Sequence, residues 1–226
     1  MAIIVIEGLD GSGKSTQVDL LKNFFIKQGR HIEYLHFPRL DSPVYGDLIA
    51  RFLRGEMGDI YHVNPYLVAL LYAGDRFNAK SMIEQWNRQN VTIILDRYVY
   101  SNIAYQCAKL QQPSEIEMLK SWIIETEFEY FKLPKPDLNI FLDVPFEFTK
   151  RKLTEHRTGS DRTYLEGKPD IHEGNIDFQS KVRRIYLSLE NEWFVKIDCG
   201  KDPDTMHPPD LIFNKIIGLL EMKQII

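Results

Sequence analysis

The residues from Gly8 to Ser15 have the composition and spacing of a loop that binds phosphate. They fit the pattern G-x-x-x-x-G-K-[ST], with an apolar run before them and a helical pattern after them. Glycines let backbone N–H groups converge on phosphate oxygens, and the start of a helix adds a favourable dipole. Lys14 would reach the β- and γ-phosphates, and the Ser15 hydroxyl would ligate Mg²⁺. A glycine turn at a helix start is the alternative. The complete motif favours a nucleoside triphosphate site over it, formed by Gly8, Asp10, Gly11, Ser12, Gly13, Lys14, Ser15 and Thr16.

A second charged pair, Asp96 and Arg97, follows the apolar run Val91–Leu95. Ligands of open α/β sheets bind at the carboxyl ends of the strands, so this pair is expected near the phosphate loop. An arginine there suits a second phosphate close to the first, and the alternative is a local ion pair. A GTPase-type switch needs an N-K-x-D segment that reads guanine. The only Asn-Lys pair in the sequence, Asn214-Lys215, continues with two isoleucines, which disfavours a GTPase. A motor or AAA-type ATPase would usually be longer and carry an acidic pair after this strand.

Five short runs rich in β-branched residues alternate with stretches of helical periodicity. Val18, Leu21, Phe24 and Phe25 outline one helical face, and similar patterns recur along the chain. This alternation predicts parallel βαβ units, and hence an α/β fold whose sheet is covered by helices on both faces. The predicted strands are Ile3–Ile6, Ile32–Phe37, Val91–Leu95, Leu138–Val144 and Trp193–Ile197.

Length, charge and cysteine content narrow the class of protein. The chain has 226 residues, which favours a single domain over residues 1–226, and 44% of them are hydrophobic, enough for a large core. A net charge of −4 argues against binding nucleic acid through an overall field. No apolar run reaches the roughly 18 residues of a membrane span. Cys107 and Cys199 have neither metal-site spacing nor disulfide companions. We predict a cytoplasmic protein with reduced cysteines that binds neither nucleic acid nor membranes.

The segment 156–175 lacks periodicity and is rich in Gly, Asp, Lys and Arg. A connection of this length inside a compact domain is usually functional, and we expect a mobile lid.

The order and spacing of these motifs resemble the thymidylate kinase family. The resemblance covers about residues 3–189 and rests on the phosphate loop, Phe37-Pro38-Arg39, Leu71–Arg76, Asp96-Arg97-Tyr98 and Ser101–Tyr105. It implies a P-loop NTPase fold with a five-stranded parallel sheet. It also implies direct in-line transfer of the γ-phosphoryl group of ATP to dTMP with Mg²⁺, and a homodimer.

The resemblance also implies how the acceptor nucleotide is bound. Arg39 and Arg97 would bind its phosphate, Asp10 its deoxyribose 3′-OH, and Tyr72, where the family often has Phe, would stack on thymine. Each has a structural alternative: Asp10 as a helix cap, Arg39 as a solvated loop residue and Tyr72 as core. The resemblance also implies base recognition by Arg76 and by Asn102, which offers both a donor and an acceptor to the imide edge of a pyrimidine. The other implied acceptor contacts are exclusion of a ribose 2′-OH by Tyr105 and flanking contacts from Phe37 and Ser101. For Asn102 and Tyr105 the alternatives are a residue near a helix cap and a half-buried tyrosine.

Thymidylate kinases carry a catalytic cation either in the phosphate loop or in the lid. Because Gly11 and Ser12 occupy the variable loop positions, the resemblance implies a lid cation, with Arg157 and Arg162 as the main candidates and Lys168 as a third. Such a cation, brought in on closure, would stabilise the transferring phosphoryl group and exclude water.

The remaining assignments concern catalysis and the donor. Lys14, Arg97 and Asp10 complete the predicted catalytic set, and Arg151 is expected to stack on adenine. His172 would either contact the acceptor sugar or be solvated.

Two other functions stay open at this point. The first is a nucleoside kinase or another nucleotide kinase on the same scaffold. A nucleoside kinase would need Glu7 as its base, and a paired phosphate clamp would then have no purpose. The second is a non-catalytic nucleotide-binding relative, which intact Lys14, Ser15 and Arg97 disfavour.

Overall fold

The computed structural model describes residues 2–154 and 160–226. Its centre is a five-stranded sheet in the order β2-β3-β1-β4-β5, and each pair of neighbouring strands is parallel. All five predicted strands are confirmed, with ends that differ by at most two residues. The predicted α/β class and parallel sheet are therefore confirmed. The strands are β1 (Ile3–Gly8), β2 (Ile32–His36), β3 (Thr92–Asp96), β4 (Leu138–Asp143) and β5 (Phe194–Asp198).

Helices flank this sheet, in agreement with the predicted alternation of strands and helices. A π-helical turn, Glu125–Tyr130, continues α5, and a 3₁₀ helix, Ser160–Leu165, precedes α7. The α-helices are α1 (Lys14–Lys27), α2 (Tyr45–Leu53), α3 (Pro65–Arg88), α4 (Val99–Cys107), α5 (Pro113–Ile124), α6 (Phe146–Thr154), α7 (Ile176–Ser188) and α8 (Pro209–Met222).

The hydrophobic core is divided by the sheet into two parts, and β1 contributes to both. Ile3 and Val5 belong to the part that contains residues of α3, α4 and α7, whereas Ile4 and Ile6 belong to the part that contains residues of α1 and α8. Side chains alternate in this way because successive residues of a strand point to opposite faces. Since both faces are covered, β1 is buried along its whole length, which explains its continuous apolar sequence.

The carboxyl ends of β1, β2 and β3 meet at one edge of the sheet. The register aligns Ile6 with Asp96 and His36 with Asp96. The phosphate loop after β1, the Phe37–Arg39 turn after β2 and Arg97 after β3 therefore leave the sheet side by side. This arrangement is the one that α/β sheets use to bind ligands.

The predicted lid, residues 156–175, lies only partly within the described residues. Its described part includes the 3₁₀ helix and packs on the end of α2, where the Ile171 N–H donates to the Leu53 carbonyl oxygen at 2.9 Å. The short 3₁₀ helix is consistent with the lack of longer periodicity in the sequence. Its mobility stays a prediction.

None of the described helices combines the length and the apolar character that crossing a membrane requires. Cys107 and Cys199 are buried free thiols, as predicted.

Gly74 of α3 packs against Tyr45 of α2 with no space for a methyl group. A Cβ atom at this position would overlap the Tyr45 ring, and even the Cδ1 atom would lie only 2.8 Å away. We expect Gly74→Ala to lower the free energy of unfolding by about 1–3 kcal/mol, measured by urea denaturation.

The matched control is Gly218→Ala in α8, where nothing lies within 4 Å of an added Cβ atom. Helix propensity should make this variant more stable by roughly 0.5–1 kcal/mol. If Gly74→Ala were as stable as the parent chain, the close packing of α2 on α3 would be wrong.

Candidate active site

A cavity of about 1530 Å³ opens at the carboxyl edge of the sheet. It extends from the phosphate loop past the ends of β2 and β3 to α3 and α4, and the lid segment forms part of its wall. Predicted donor and acceptor residues therefore share one space. Those that line it are Asp10, Gly11, Ser12, Gly13, Lys14, Ser15, Thr16, Phe37, Arg39, Tyr72, Arg76, Arg97, Ser101, Asn102 and Tyr105.

The phosphate loop holds Lys14 in a buried position. Gly13 has φ = 81°, a left-handed conformation that glycine adopts without strain. Lys14 Nζ donates to the carbonyl oxygens of Leu9 at 2.9 Å and Gly8 at 3.3 Å. Burial and the neighbouring Arg97 charge lower the pKa of Lys14 to about 8. A bound phosphate would supply the opposite charge, so the site is suited to an anion.

Arg97 and Asp10 form an ion pair between the end of β3 and the phosphate loop. Arg97 Nη2 lies 2.6 Å from Asp10 Oδ1, and the Tyr105 hydroxyl donates to Asp10 Oδ2 at 3.1 Å. Asp96 faces His36 instead, with 3.2 Å between Oδ2 and Nδ1, so the alternative of a local Asp96–Arg97 pair is wrong. Asp10 is not the capping residue of α1, so that alternative is wrong as well.

Arg39 is held in the cavity wall by Asp75 of α3. It follows a cis Phe37–Pro38 peptide bond. Arg39 Nε donates to Asp75 Oδ1 at 2.9 Å, and the Arg39 backbone N–H donates to Oδ2 at 2.8 Å. Prediction from sequence missed this role of Asp75, although the residue lies inside the Leu71–Arg76 motif. Arg39 is therefore a fixed cation and not a solvated loop residue.

The far end of the cavity contains a buried network around Glu127. Arg76 Nε and Nη2 lie 2.5 Å and 2.7 Å from its two carboxylate oxygens, and Asn102 Nδ2 donates to Oε1 at 2.9 Å and to the Ala69 carbonyl oxygen at 3.0 Å. Asn102 Oδ1 is buried without a partner among the described residues. Both amide hydrogens of Asn102 are therefore used internally, and only its carbonyl oxygen is left for a further hydrogen bond. This corrects the expectation that Asn102 presents both groups.

A family model described as thymidylate kinase matches residues 6–208. The chain belongs to the thymidylate kinase family. The thymidylate kinase of Mycobacterium tuberculosis is 34% identical over 217 residues, which cover 92% of this chain and 99% of that protein. A probable thymidylate kinase of Methanosphaera stadtmanae is 31% identical, over 97% of this chain and 99% of that protein. A solved structure of thymidylate kinase from Candida albicans has a TM-score of 0.72 at 24% identity, with 99% of this chain and 92% of that chain covered, and it supports the fold.

Thymidylate kinases phosphorylate dTMP to dTDP with ATP as donor. Membership of the family therefore makes this chain an ATP-dependent nucleoside monophosphate kinase, and the predicted activity and P-loop NTPase fold are confirmed.

Glu7, the base that a nucleoside kinase would require, is fully buried behind the thymidylate kinase cavity. Its Oε1 accepts from the Tyr98 N–H at 3.0 Å, while Ser101 Oγ and the Tyr186 hydroxyl donate to Oε2 at 2.5 Å and 2.9 Å. Burial raises the pKa of Glu7, and the carboxyl group does not line the cavity. A carboxylate tied in this way fixes α4 to β1 and is not available to deprotonate a substrate.

The lid side of the cavity is formed by Asp170, His172 and Tyr164. The Tyr164 hydroxyl donates to Asp170 Oδ2 at 2.8 Å, and burial raises the pKa of Asp170 to about 6. His172 is buried, with its ring centroid 5.0 Å from that of Tyr105, and burial lowers its pKa to about 3. The alternative of a solvated His172 is therefore wrong, and this imidazole is neutral.

Several predicted residues are not brought into the cavity. Arg151 is exposed and donates from Nη2 to the Asp204 carbonyl oxygen on the loop after β5, outside the cavity lining. Lys168 pairs with Glu56 at 2.8 Å, also outside the lining, so it is a poor candidate for the catalytic cation. Arg157 lies outside the described residues, and so does the side chain of Arg162.

The residues beside the phosphate loop fit Mg²⁺. Ser15 is exposed to the cavity, and Asp96 Oδ1 is buried without a hydrogen-bond partner in the described part of the chain. Although burial opposes ionisation, the His36 hydrogen bond and the Lys14 charge lower the pKa of Asp96. Proteins commonly hold Mg²⁺ with one or two carboxylates plus substrate phosphates. Asp96 is an addition to the predicted metal residue Ser15, and its position at the carboxyl end of β3 was its sequence signal.

We predict that ATP affinity depends on the protonation of Lys14. Only the charged amine attracts phosphate, and its pKa of about 8 means that the free protein loses this charge as pH rises through that value. Above it, Kd for ATP should increase towards about tenfold per pH unit, measured by calorimetry between pH 7 and 9.5.

Lys14→Arg is the control, because a guanidinium group stays charged over this range. Its Kd for ATP, even if higher than that of the parent chain, should be nearly constant over this pH range. A flat profile for the parent chain would contradict the lowered pKa of Lys14.

Proposed function

We propose that this chain transfers the γ-phosphoryl group of ATP to dTMP through the side chains that line the cavity. The observation that supports this most is a single space that joins Lys14 to the Arg39–Arg97 pair and continues to Arg76 and Asn102. ATP on the phosphate loop would meet an acceptor phosphate held by two arginines. This is the approach that in-line transfer requires.

The hydrogen-bonding groups at the far end favour thymine or uracil. Glu127 occupies Arg76 Nε and Nη2, which leaves Nη1 as a donor, and Asn102 offers the acceptor Oδ1. The imide edge of thymine supplies a matching carbonyl oxygen and N–H group. Cytosine has an amino group and a bare ring nitrogen at these positions. Its amino donor would face the Arg76 donor, and its ring-nitrogen acceptor would face the Asn102 acceptor. Tyr72 lines the same end and would stack on the base.

Asp10 and Tyr105 form the proposed sugar site. Asp10 forms an ion pair with Arg97 and can accept a hydrogen bond from a 3′-OH while the arginine offsets its charge. The Tyr105 ring packs on His172, and this floor leaves little freedom for a ribose 2′-OH.

The transfer step needs charge stabilisation and not a protein nucleophile, because the attacking phosphate oxygen is already anionic. Lys14 would stabilise the donor oxygens, and Arg39 and Arg97 would deliver the acceptor. Arg157 or Arg162 of the lid would add positive charge at the transferring group and exclude water.

Ser15 and Asp96 would hold Mg²⁺ together with the nucleotide phosphates. When bound, the ion neutralises negative charge on the β- and γ-phosphate oxygens.

We also infer a homodimer, as the resemblance implies. Chain length and cysteine content further lead us to propose one catalytic domain over residues 1–226 and a cytoplasmic location. The exposed residues Leu67, Leu70 and Phe77 of α3 support the dimer, because they lie on one side of the helix and a second copy could cover them. Sedimentation of the purified chain as a monomer would contradict it. The two free cysteines fit a reducing compartment.

The decisive test is an ADP-release assay with ATP, Mg²⁺ and a panel of deoxynucleoside monophosphates. We expect dTMP and dUMP to be used ahead of dCMP and dGMP, with kcat/KM for dTMP at least about a hundredfold above that for dCMP, because cytosine leaves buried polar groups unpaired. A preference for a purine acceptor would refute the proposed base site.

We predict that Arg97→Ala separates ATP binding from transfer. Arg97 contacts Asp10 and the proposed acceptor phosphate, while Lys14 and the loop amides bind ATP. Kd for ATP should stay within about threefold of the parent value and kcat should fall by about 10²–10³. Arg184→Ala, at an exposed arginine of α7 outside the cavity lining, is the control and should keep parental turnover. Parental kcat in Arg97→Ala would exclude this role.

A further inference from the structure

One arginine joins α2 to the lid segment. Arg54 caps the C-terminus of α2, and only 8% of its side chain is exposed. Its Nη1 donates to the Tyr164 carbonyl oxygen at 2.7 Å and lies 3.3 Å from Glu166 Oε1. Its Nε donates to Glu56 Oε1 at 2.9 Å. The guanidinium group thus connects the C-terminus of α2 to the neighbouring 3₁₀ helix, Ser160–Leu165.

The contact to Tyr164 continues into the wall of the cavity. The Tyr164 hydroxyl donates to Asp170 Oδ2 at 2.8 Å, and Asp170 Oδ1 accepts from the His172 backbone N–H at 2.7 Å. The His172 ring then packs on Tyr105, 5.0 Å between centroids. A continuous set of contacts therefore leads from the end of α2 to the proposed nucleotide site.

The same helix also lies close to the Phe37–Arg39 turn, which carries one of the arginines proposed to bind the acceptor phosphate. Between Arg39 and the start of α2 at Tyr45 lie only five residues, and Gly46 packs against the carbonyl oxygens of Arg39 and Leu40 so closely that a Cβ atom would overlap them. A displacement of α2 would therefore also displace the backbone of Arg39. Arg54 is therefore one polar link between this helix and the lid segment that carries Arg162, beside the hydrogen bond from the Ile171 N–H to the Leu53 carbonyl oxygen.

We propose that Arg54 is a positioning residue for phosphoryl transfer. By fixing the backbone of Ser160–Leu165 to α2, Arg54 sets the position of the lid relative to the part of the cavity wall that carries Arg39. The inference rests on the proposed function, since it assigns the lid a part in transfer. A charge-assisted bond from a buried guanidinium group is suited to this task, because losing it leaves the Tyr164 carbonyl oxygen without this donor.

The test compares three variants in steady-state kinetics. Arg54→Ala should lower kcat by about tenfold or more while Kd for dTMP, measured by calorimetry, changes by less than about threefold. Arg54→Lys keeps the charge but lacks the planar set of N–H donors of a guanidinium group, so its kcat should recover only part of the loss. Arg51→Ala is the matched control, because Arg51 lies on the same helix and contacts Glu56 at 3.4 Å but is 51% exposed. It should stay within about twofold of the parent kcat.

Hydrogen exchange supplies a readout that does not depend on activity. In the protein without nucleotide, the amides of residues 164–171 should exchange faster in Arg54→Ala than in the parent, and Arg51→Ala should match the parent. The Ile171 amide, bonded to Leu53, is the most direct reporter. If Arg54→Ala unfolds throughout the chain, Arg54→Lys is judged by the same criteria.

The outcomes separate the two proposals. If Arg54→Ala keeps the parental kcat or the parental rate of amide exchange, the positioning role is overturned. Turnover of dTMP by the parent chain would still leave the proposed function intact. Loss of dTMP affinity as large as the loss of kcat also overturns the positioning role, since Arg54 would then support only acceptor binding. A parent chain that does not phosphorylate dTMP overturns both, whatever the exchange data show about anchoring.

Discussion

Each arginine that lines the proposed acceptor site is held in place by its own carboxylate. Arg39 is bound by Asp75, Arg76 by Glu127 and Arg97 by Asp10. A guanidinium group has five N–H donors, so two can be fixed by the protein while others remain directed at a ligand. Although burial opposes the charged form, Glu127 raises the pKa of Arg76, and Asp10 is among the groups that raise that of Arg97. The pairs therefore keep cations fixed and ionised where the proposed transfer would bring two phosphates together.

These ion pairs also tie the site to the stability of the fold, because the partners come from different elements. Asp75 lies on α3 and Arg39 follows β2, while Glu127 lies on the π-helical turn that extends α5. Removing one partner of a buried pair leaves an uncompensated charge, which typically costs about 3–5 kcal/mol. Replacement of Glu127 would thus disturb Arg76 and Asn102 together, the two residues of the proposed base site. The proposed nucleotide site is preorganised to this extent, because the protein itself holds these side chains in place.

On the lid side of the cavity, the acidic residue Asp170 is held by hydrogen bonds from its neighbours. Asp170 combines a raised pKa with hydrogen bonds from Tyr164 and the His172 backbone, and Asp10 adds to the unfavourable negative charge nearby. This wall is therefore held by polar contacts together with aromatic packing, since the His172 ring also packs on Phe52, Tyr105 and Phe178.

Much of the architecture was determined by the sequence itself. Buried strands need apolar residues on both faces and the phosphate loop needs glycines at fixed spacing, so β1, the loop and α1 could be recognised from local pattern alone. The motifs also identified the arginines and Asn102. Only the tertiary structure decided their partners. Glu127 lies 51 residues after Arg76 on a π-helical turn without any motif, and His172 is buried although a lone lid histidine is usually solvated. Which donors and acceptors remain for a ligand depends on these long-range contacts, because chain folding brings together groups whose separation in sequence carries no periodic signal.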